Sequence, residues 1–99
     1  MTATITRCQT RVEATERNAE LLDAVFTELA EIDADGFTLK VFRFADDNTF
    51  VHVLITHDDV DHPTDLDEVR SWRAFLAGFS ERVEGAVETH DALILGGRR

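Results

Sequence analysis

Tyrosine is missing from these 99 residues, and cysteine, proline, tryptophan and methionine occur once each. With Cys8 alone no internal disulfide can form, and no CxxC-type spacing offers a zinc ligand set. That removes zinc fingers and disulfide-stapled secreted scaffolds, and it points to a reducing, cytoplasmic setting. One proline, Pro63, and five glycines leave no Pro/Gly/Ser linker, so the chain reads as a single domain spanning residues 1–99. Basic side chains are scarce as well, with 10 Lys and Arg against 20 Asp and Glu and a net charge of −10. Such a field repels phosphate backbones and anionic membrane surfaces, and the only adjacent basic pair is Arg98-Arg99. Neither a nucleic acid nor a membrane is therefore expected as a partner. No apolar run approaches the ~20 residues needed to cross a bilayer, and the opening MTATITRCQT lacks a signal peptide's apolar stretch. No GxGxxG, P-loop or Ser/His/Asp arrangement occurs, and Gly96-Gly97 precedes no helix.

What is present is apolar residue in periodic order, 43% of the chain. Thr2 to Val12, rich in Thr, suits a first strand. From Thr15 to about Asp33 the spacing of Leu22, Val25, Phe26, Leu29 and Ile32 predicts an amphipathic helix, with Thr15 as N-cap and Asp35-Gly36 as its stop. Phe37 to Phe44 and Thr49 to Thr56 are β-rich runs around the turn cluster Ala45-Asp46-Asp47-Asn48, which predicts a hairpin. A polar connection containing Pro63 leads to a second helix from about Asp67 to Glu84, carried by Trp72, Phe75, Leu76, Phe79 and Val83 and interrupted in composition by Gly78. Val87 to Leu95 closes the chain as a last strand.

The order β-α-β-β-α-β is that of the α+β, ferredoxin-like split βαβ arrangement, a four-stranded antiparallel sheet with two helices on one face. Both faces of the hairpin are apolar. Phe37, Leu39 and Val41 point one way and Phe42 and Phe44 the other, while Val51, Val53 and Ile55 oppose Phe50 and Leu54. Helices cover one side only, and a bare apolar face of this size needs a cover. A second copy packed face to face supplies it, giving a twofold homodimer, a dimeric α+β barrel.

The segments NAELLDAVFTELAEIDADGF, KVFRFADDNTFVHVLITHDD and HPTDLDEVRSWRAFLAGFSERV, with FVHV and F-x-x-G as their most particular parts, resemble the small dimeric α+β barrel proteins of the antibiotic-biosynthesis-monooxygenase superfamily. The resemblance runs from about residue 6 to residue 95. It implies the fold and a homodimer, and as activities cofactor-independent oxidation of a small aromatic or polyketide-like substrate, or, in another branch, haem degradation. The quinone-forming members are associated with Tyr, Trp and Asn in the pocket. This chain has no Tyr, and Trp72, Asn18 and its His residues do not align with the haem-degrading pattern. The resemblance therefore carries the architecture and leaves the active site to be read from the residues.

His52 lies inside an apolar strand, where a neutral imidazole can act as a general base or orient a phenol, or else simply be a hydrogen-bonded core residue. A two-residue Asp47-Asn48 loop places Arg43 opposite His52, suited to an anionic or phenolate ligand; a three-residue Asp46–Asn48 loop places Phe42 there instead. His52 and Arg43 are thus the catalytic candidates, and Trp72, Phe42 and Phe50 the candidate lining of an aromatic ligand pocket, set against an ordinary place in the core. The stretch His57 to His62 gathers two His and three Asp, oxygen and nitrogen donors enough to raise a metal site, but it lacks the glycine and terminal glutamate of a calcium loop. No metal and no cofactor is expected. The competing reading is a non-catalytic homodimeric module for a small hydrophobic ligand or a protein partner.

Overall fold

The computed structural model describes residues 2–97; the Arg98-Arg99 pair lies outside them. Strand β1 (Thr2–Thr10) leads through a 3-10 turn (Val12–Ala14) into helix α1 (Thr15–Glu31), followed by the hairpin of β2 (Phe37–Arg43) and β3 (Thr49–Thr56). A second 3-10 turn (Leu66–Glu68) precedes α2 (Arg70–Leu76), α3 (Phe79–Arg82) and β4 (Val83–Leu93). The four strands form one antiparallel sheet in the order β2-β3-β1-β4, which is the ferredoxin-like order.

Three local outcomes depart from the periodicity. Thr15 does not cap α1 but is its first residue; its hydroxyl donates to the Arg11 carbonyl (3.0 Å) and meets the Thr10 hydroxyl (2.8 Å), tying the helix to β1. The helix stops before Gly36. Asp33 takes the left-handed conformation (φ 51°), and the Asp33 and Ala34 amides donate to the Ala30 and Leu29 carbonyls, the paired bonds of a Schellman ending. Gly36 serves packing instead, since a Cβ there would sit 2.3 Å from Pro63 Cβ, on a backbone at φ 96°. The expected second helix is two short ones, because Gly78 adopts φ 73° between them. The last strand accordingly begins at Val83 rather than Val87, and Gly85 (φ 79°) falls at a bulge where the β1–β4 register shifts between Arg7 and Gln9.

The core lies between the helix layer and one sheet face: Cys8, Leu22, Val25, Phe50, Phe75 and Val83 are buried together, with Leu39, Val41, Trp72 and Phe79 packed against them. The buried stripe of α1 is Thr15, Asn18, Leu22 and Val25, so Phe26 and Ile32 sit at its exposed flank rather than in the core. On the opposite sheet face no element among the described residues lies over Ile5, Phe42, Val51, Val53 and Ile55, with Lys40, Arg7, Glu88 and His90 interleaved in the same rows. Phe42 and Phe44 are 52% and 42% exposed. The two-faced apolar pattern of the hairpin is therefore real, with only one face covered.

Candidate functional site

Hairpin closure sets where each candidate side chain ends up. The loop has four residues, Ala45 to Asn48, closed by the Phe44 amide donating to the Thr49 carbonyl (2.8 Å). Asp46 Oδ1 accepts from the Asn48 and Thr49 amides. This fixes a register that neither shorter loop gives: Val41 pairs with His52, Phe42 with Val51 and Arg43 with Phe50. The row through His52 continues to Thr6 on β1.

On the helix side of the sheet, His52, Leu39, Leu54, Thr4 and Thr6 form the floor of a cavity of about 220 Å³, and Trp72, Phe75, Leu76 and Phe79 form its roof. The roof is an aromatic stack, with Trp72 5.3 Å from Phe75 and Phe79 5.4 Å from it between ring centroids. Phe75 in turn lies 5.5 Å from the imidazole of His52, tilted by 59°. His52 is 6% exposed, and among the described residues its Nε2 has no hydrogen-bond partner. Burial without a compensating charge pushes its pKa down to about 4, so the imidazole is neutral at ordinary pH. Among the described residues it is the one titratable side chain in the lining.

Of the five sequence candidates, the structure brings His52 and Trp72 together in this cavity. Arg43 is elsewhere: it donates to Glu16 Oε1 (2.8 Å) and to the Asp47 carbonyl (2.7 Å) at the hairpin end, with its guanidinium 5.7 Å above the Phe50 ring. Phe50 is 2% exposed and belongs to the core beside Cys8 and Val25. Phe42 lies on the open face. His57 of the acidic loop is hydrogen-bonded to Thr38 Oγ1 (2.8 Å), and among the described residues no three His, Cys, Asp or Glu side chains converge as a metal site. His90 and Asp91 fall on opposite sheet faces, paired with Ile5 and Thr4 respectively.

A buried polar group that periodicity did not single out holds the roof in place. Arg82, 9% exposed, donates to Asn18 Oδ1 (3.1 Å), the Ala77 carbonyl (3.0 Å) and the Phe75 carbonyl, and its guanidinium lies 5.2 Å and 5.7 Å from the Phe75 and Phe79 rings. The signal was present in the stripe itself, since Arg82 follows Phe75 and Phe79 at helical spacing and Asn18 precedes Leu22 by four. A larger hollow of about 290 Å³ between β1 and the bulge of β4 is lined by Arg7, Gln9, Glu84 and Glu88. Among the described residues it contains no aromatic side chain and no unpartnered buried group, so the apolar cavity is the stronger site of the two.

Compared with known proteins, the chain matches no family model and no curated protein. Solved structures do resemble it over nearly its whole length. Rv0793 from Mycobacterium tuberculosis superposes with a TM-score of 0.70 at 22% identity, covering 99% of this chain and 98% of that one. An antibiotic biosynthesis monooxygenase gives 0.67 at 10% identity, with 97% and 100% covered. SnoaB, a cofactor-independent oxygenase from Streptomyces nogalater, gives 0.64 at 12% identity, with 97% and 94% covered. At these identities the likeness is one of fold: the chain shares their ferredoxin-like α+β fold, and its chemistry rests on its own residues.

Proposed function

We propose that this protein oxidises a small phenolic or polyketide-like aromatic with molecular oxygen, without a cofactor, in the cavity over His52. The observation that carries the reading is a desolvated imidazole nitrogen left unpartnered in an otherwise apolar, aromatic-roofed space. A buried polar atom without a partner costs about 1–3 kcal/mol, and a ligand hydroxyl would relieve that cost. Size narrows the substrate. A cavity of ~150 Å³ is enough for benzene, so about 220 Å³ admits one or two rings, and a larger polycycle would have to displace the roof.

Magnitude also decides the role of His52. A phenol near pKa 10 facing an imidazole of about 4 would need roughly 8 kcal/mol for complete proton transfer in the ground state. His52 therefore accepts a hydrogen bond, polarises the O–H and fixes the ring. The phenolic proton passes with one electron to O₂; the resulting hydroperoxyl and aryloxyl radicals combine at the ring carbon that is CH₂ in the keto tautomer, and this hydroperoxide loses water, so that CH₂ and O₂ become C=O and H₂O. Oxygen uptake with a panel of hydroquinones and anthrones tests the reading. His52→Ala lowers turnover at least about tenfold and Trp72→Phe less; unchanged rates in both variants would remove these residues from the mechanism.

Because no second titratable group among the described residues lines the cavity, a non-catalytic module for a small hydrophobic ligand is the second reading. Thermal stabilisation by aromatic ligands with no oxygen uptake by the wild type would select it.

We further infer that a second copy covers the open sheet face in a homodimer. Its support is the pair of exposed phenylalanines, Phe42 and Phe44, beside Ile5, Val51, Val53 and Ile55. That face alternates cations (Lys40, Arg7) with Glu88, which a twofold operation can set against one another. Light scattering at micromolar concentration is expected to give twice the 11.1 kDa chain mass. Val53→Asp, a charge in the middle of the face, shifts the population to monomer; a monomeric wild type would end the proposal.

A further inference from the structure

The cavity over His52 is apolar toward β2 and polar toward β4. Leu39, Leu54, Thr4 and Asp91 follow one another across the sheet in a single row, and Val41, His52, Thr6 and Thr89 make up the next. Helices cover the first half of both rows, whereas every β4 residue from Glu84 to Asp91 is exposed. The open end of the cavity therefore leads along Thr4 and Thr6 to Asp91, whose Oδ1 accepts from the Thr4 hydroxyl at 3.4 Å. By strand spacing, Asp91 lies about 12 Å from His52 between Cα atoms, with both side chains on the same face.

We propose that Asp91 is a specificity-determining residue of this site, selecting aromatic ligands that carry a hydrogen-bond donor at the end remote from His52 and rejecting those that carry a carboxylate there. The inference rests on the ligand reading of the cavity and goes beyond it by fixing which way round the ligand lies. A carboxylate only accepts hydrogen bonds, as the Thr4 hydroxyl already shows. A ligand hydroxyl or ammonium reaching the rim finds a partner there, whereas an anion meets like charge and loses its water. A two-ring ligand is long enough to reach from the imidazole to this rim, and a one-ring ligand is not.

Three naphthalenes separate the possibilities by titration calorimetry, with NMR of the His52 imidazole reporting where they bind: 2-naphthol, 2,6-dihydroxynaphthalene and 6-hydroxy-2-naphthoate. The dihydroxy compound is expected to bind the wild type at least about tenfold more tightly than the carboxylate, the size of one charge-assisted preference at an exposed rim. Asp91→Asn narrows that ratio to about threefold or less and leaves 2-naphthol, which has nothing at the far end, unchanged. Thr4→Val, which frees the carboxylate without removing it, keeps the preference. If 2-naphthol leaves the His52 resonances unmoved, the cavity is not a ligand site and the role of Asp91 falls with it. If 2-naphthol binds there but the other two bind alike, or Asp91→Asn leaves their ratio as it was, the ligand reading stands and the assignment of Asp91 is overturned.

Discussion

Arg82→Met is expected to lower the stability of the fold by about 3 kcal/mol, although it exchanges a charge for a flexible apolar chain of similar length. The guanidinium makes three hydrogen bonds, to Asn18 Oδ1 and to the Phe75 and Ala77 carbonyls, and it lies over two aromatic rings. Bonds from a charged donor contribute about 1.5–3 kcal/mol each, and the cation–π contacts roughly 0.5–1. Against this stands desolvation, which also pushes the Arg82 pKa below its ordinary value. Methionine restores packing but leaves Asn18 with neither end of its amide partnered, since among the described residues its Nδ2 already has none. Arg82→Lys keeps the charge but cannot span three acceptors, so it recovers less than half of the loss. Urea denaturation measures both. Trp72 fluorescence supplies a second reading, because Trp72 stacks on the ring beneath the guanidinium and its environment loosens with the roof. A loss under about 1 kcal/mol for Arg82→Met would show that the helix break holds itself.

That break marks where periodicity stops being informative. The stripe from Trp72 to Val83 reads as one helix because its large apolar residues fall at helical spacing, and spacing alone does not register that the chain has left αR at Ala77 (ψ 124°) and Gly78. Gly78 does so at φ 73°, at little cost for a residue without a Cβ, and the two carbonyls bonded to Arg82 lie on either side of Leu76. The strand therefore begins four residues before Val87, taking Val83 and Glu84 from what looked like helix and Gly85 and Ala86 from the connection after it. By contrast the strand faces of the hairpin were legible, because a period of two needs no knowledge of a partner: Leu39 and Val41 pack inward, and Phe42 and Phe44 face out.

The candidate site was half legible for the same reason. A histidine within FVHV announces a polar group on a buried face, and His52 is there. Which residue stands across from it depends on loop length, a tertiary outcome settled by Asp46 bonding the Asn48 and Thr49 amides and Thr49 Oγ1. That four-residue closure removes Arg43 and Phe42 from the histidine and leaves Val41 opposite it. The isolation of His52 is a product of the turn, and its depressed pKa follows from that isolation.

The isolation has a measurable consequence in the dependence of stability on pH. In the folded chain His52 takes up a proton only near pH 4, and in the unfolded chain near the ordinary 6.5. Between those values the unfolded chain binds a proton that the folded chain refuses, so acidification favours unfolding. The contribution of this site is therefore complete above pH 6.5, falls by about 1.4 kcal/mol per unit below it, and is lost by pH 4, a total of about 3 kcal/mol. His52→Phe fills the same space without titrating. Carboxylates titrate alike in both proteins, so the difference between wild type and variant, measured by urea denaturation at one protein concentration from pH 4 to 7, isolates the imidazole. At pH 7 the variant should be at least as stable as the wild type, because it no longer buries an unpartnered Nε2; towards pH 4 the difference should move in its favour by about 3 kcal/mol more. Parallel curves would mean that His52 titrates equally in both states and that water reaches it. In that case the apolar cavity would not be dry enough to make its nitrogen an acceptor reserved for a ligand.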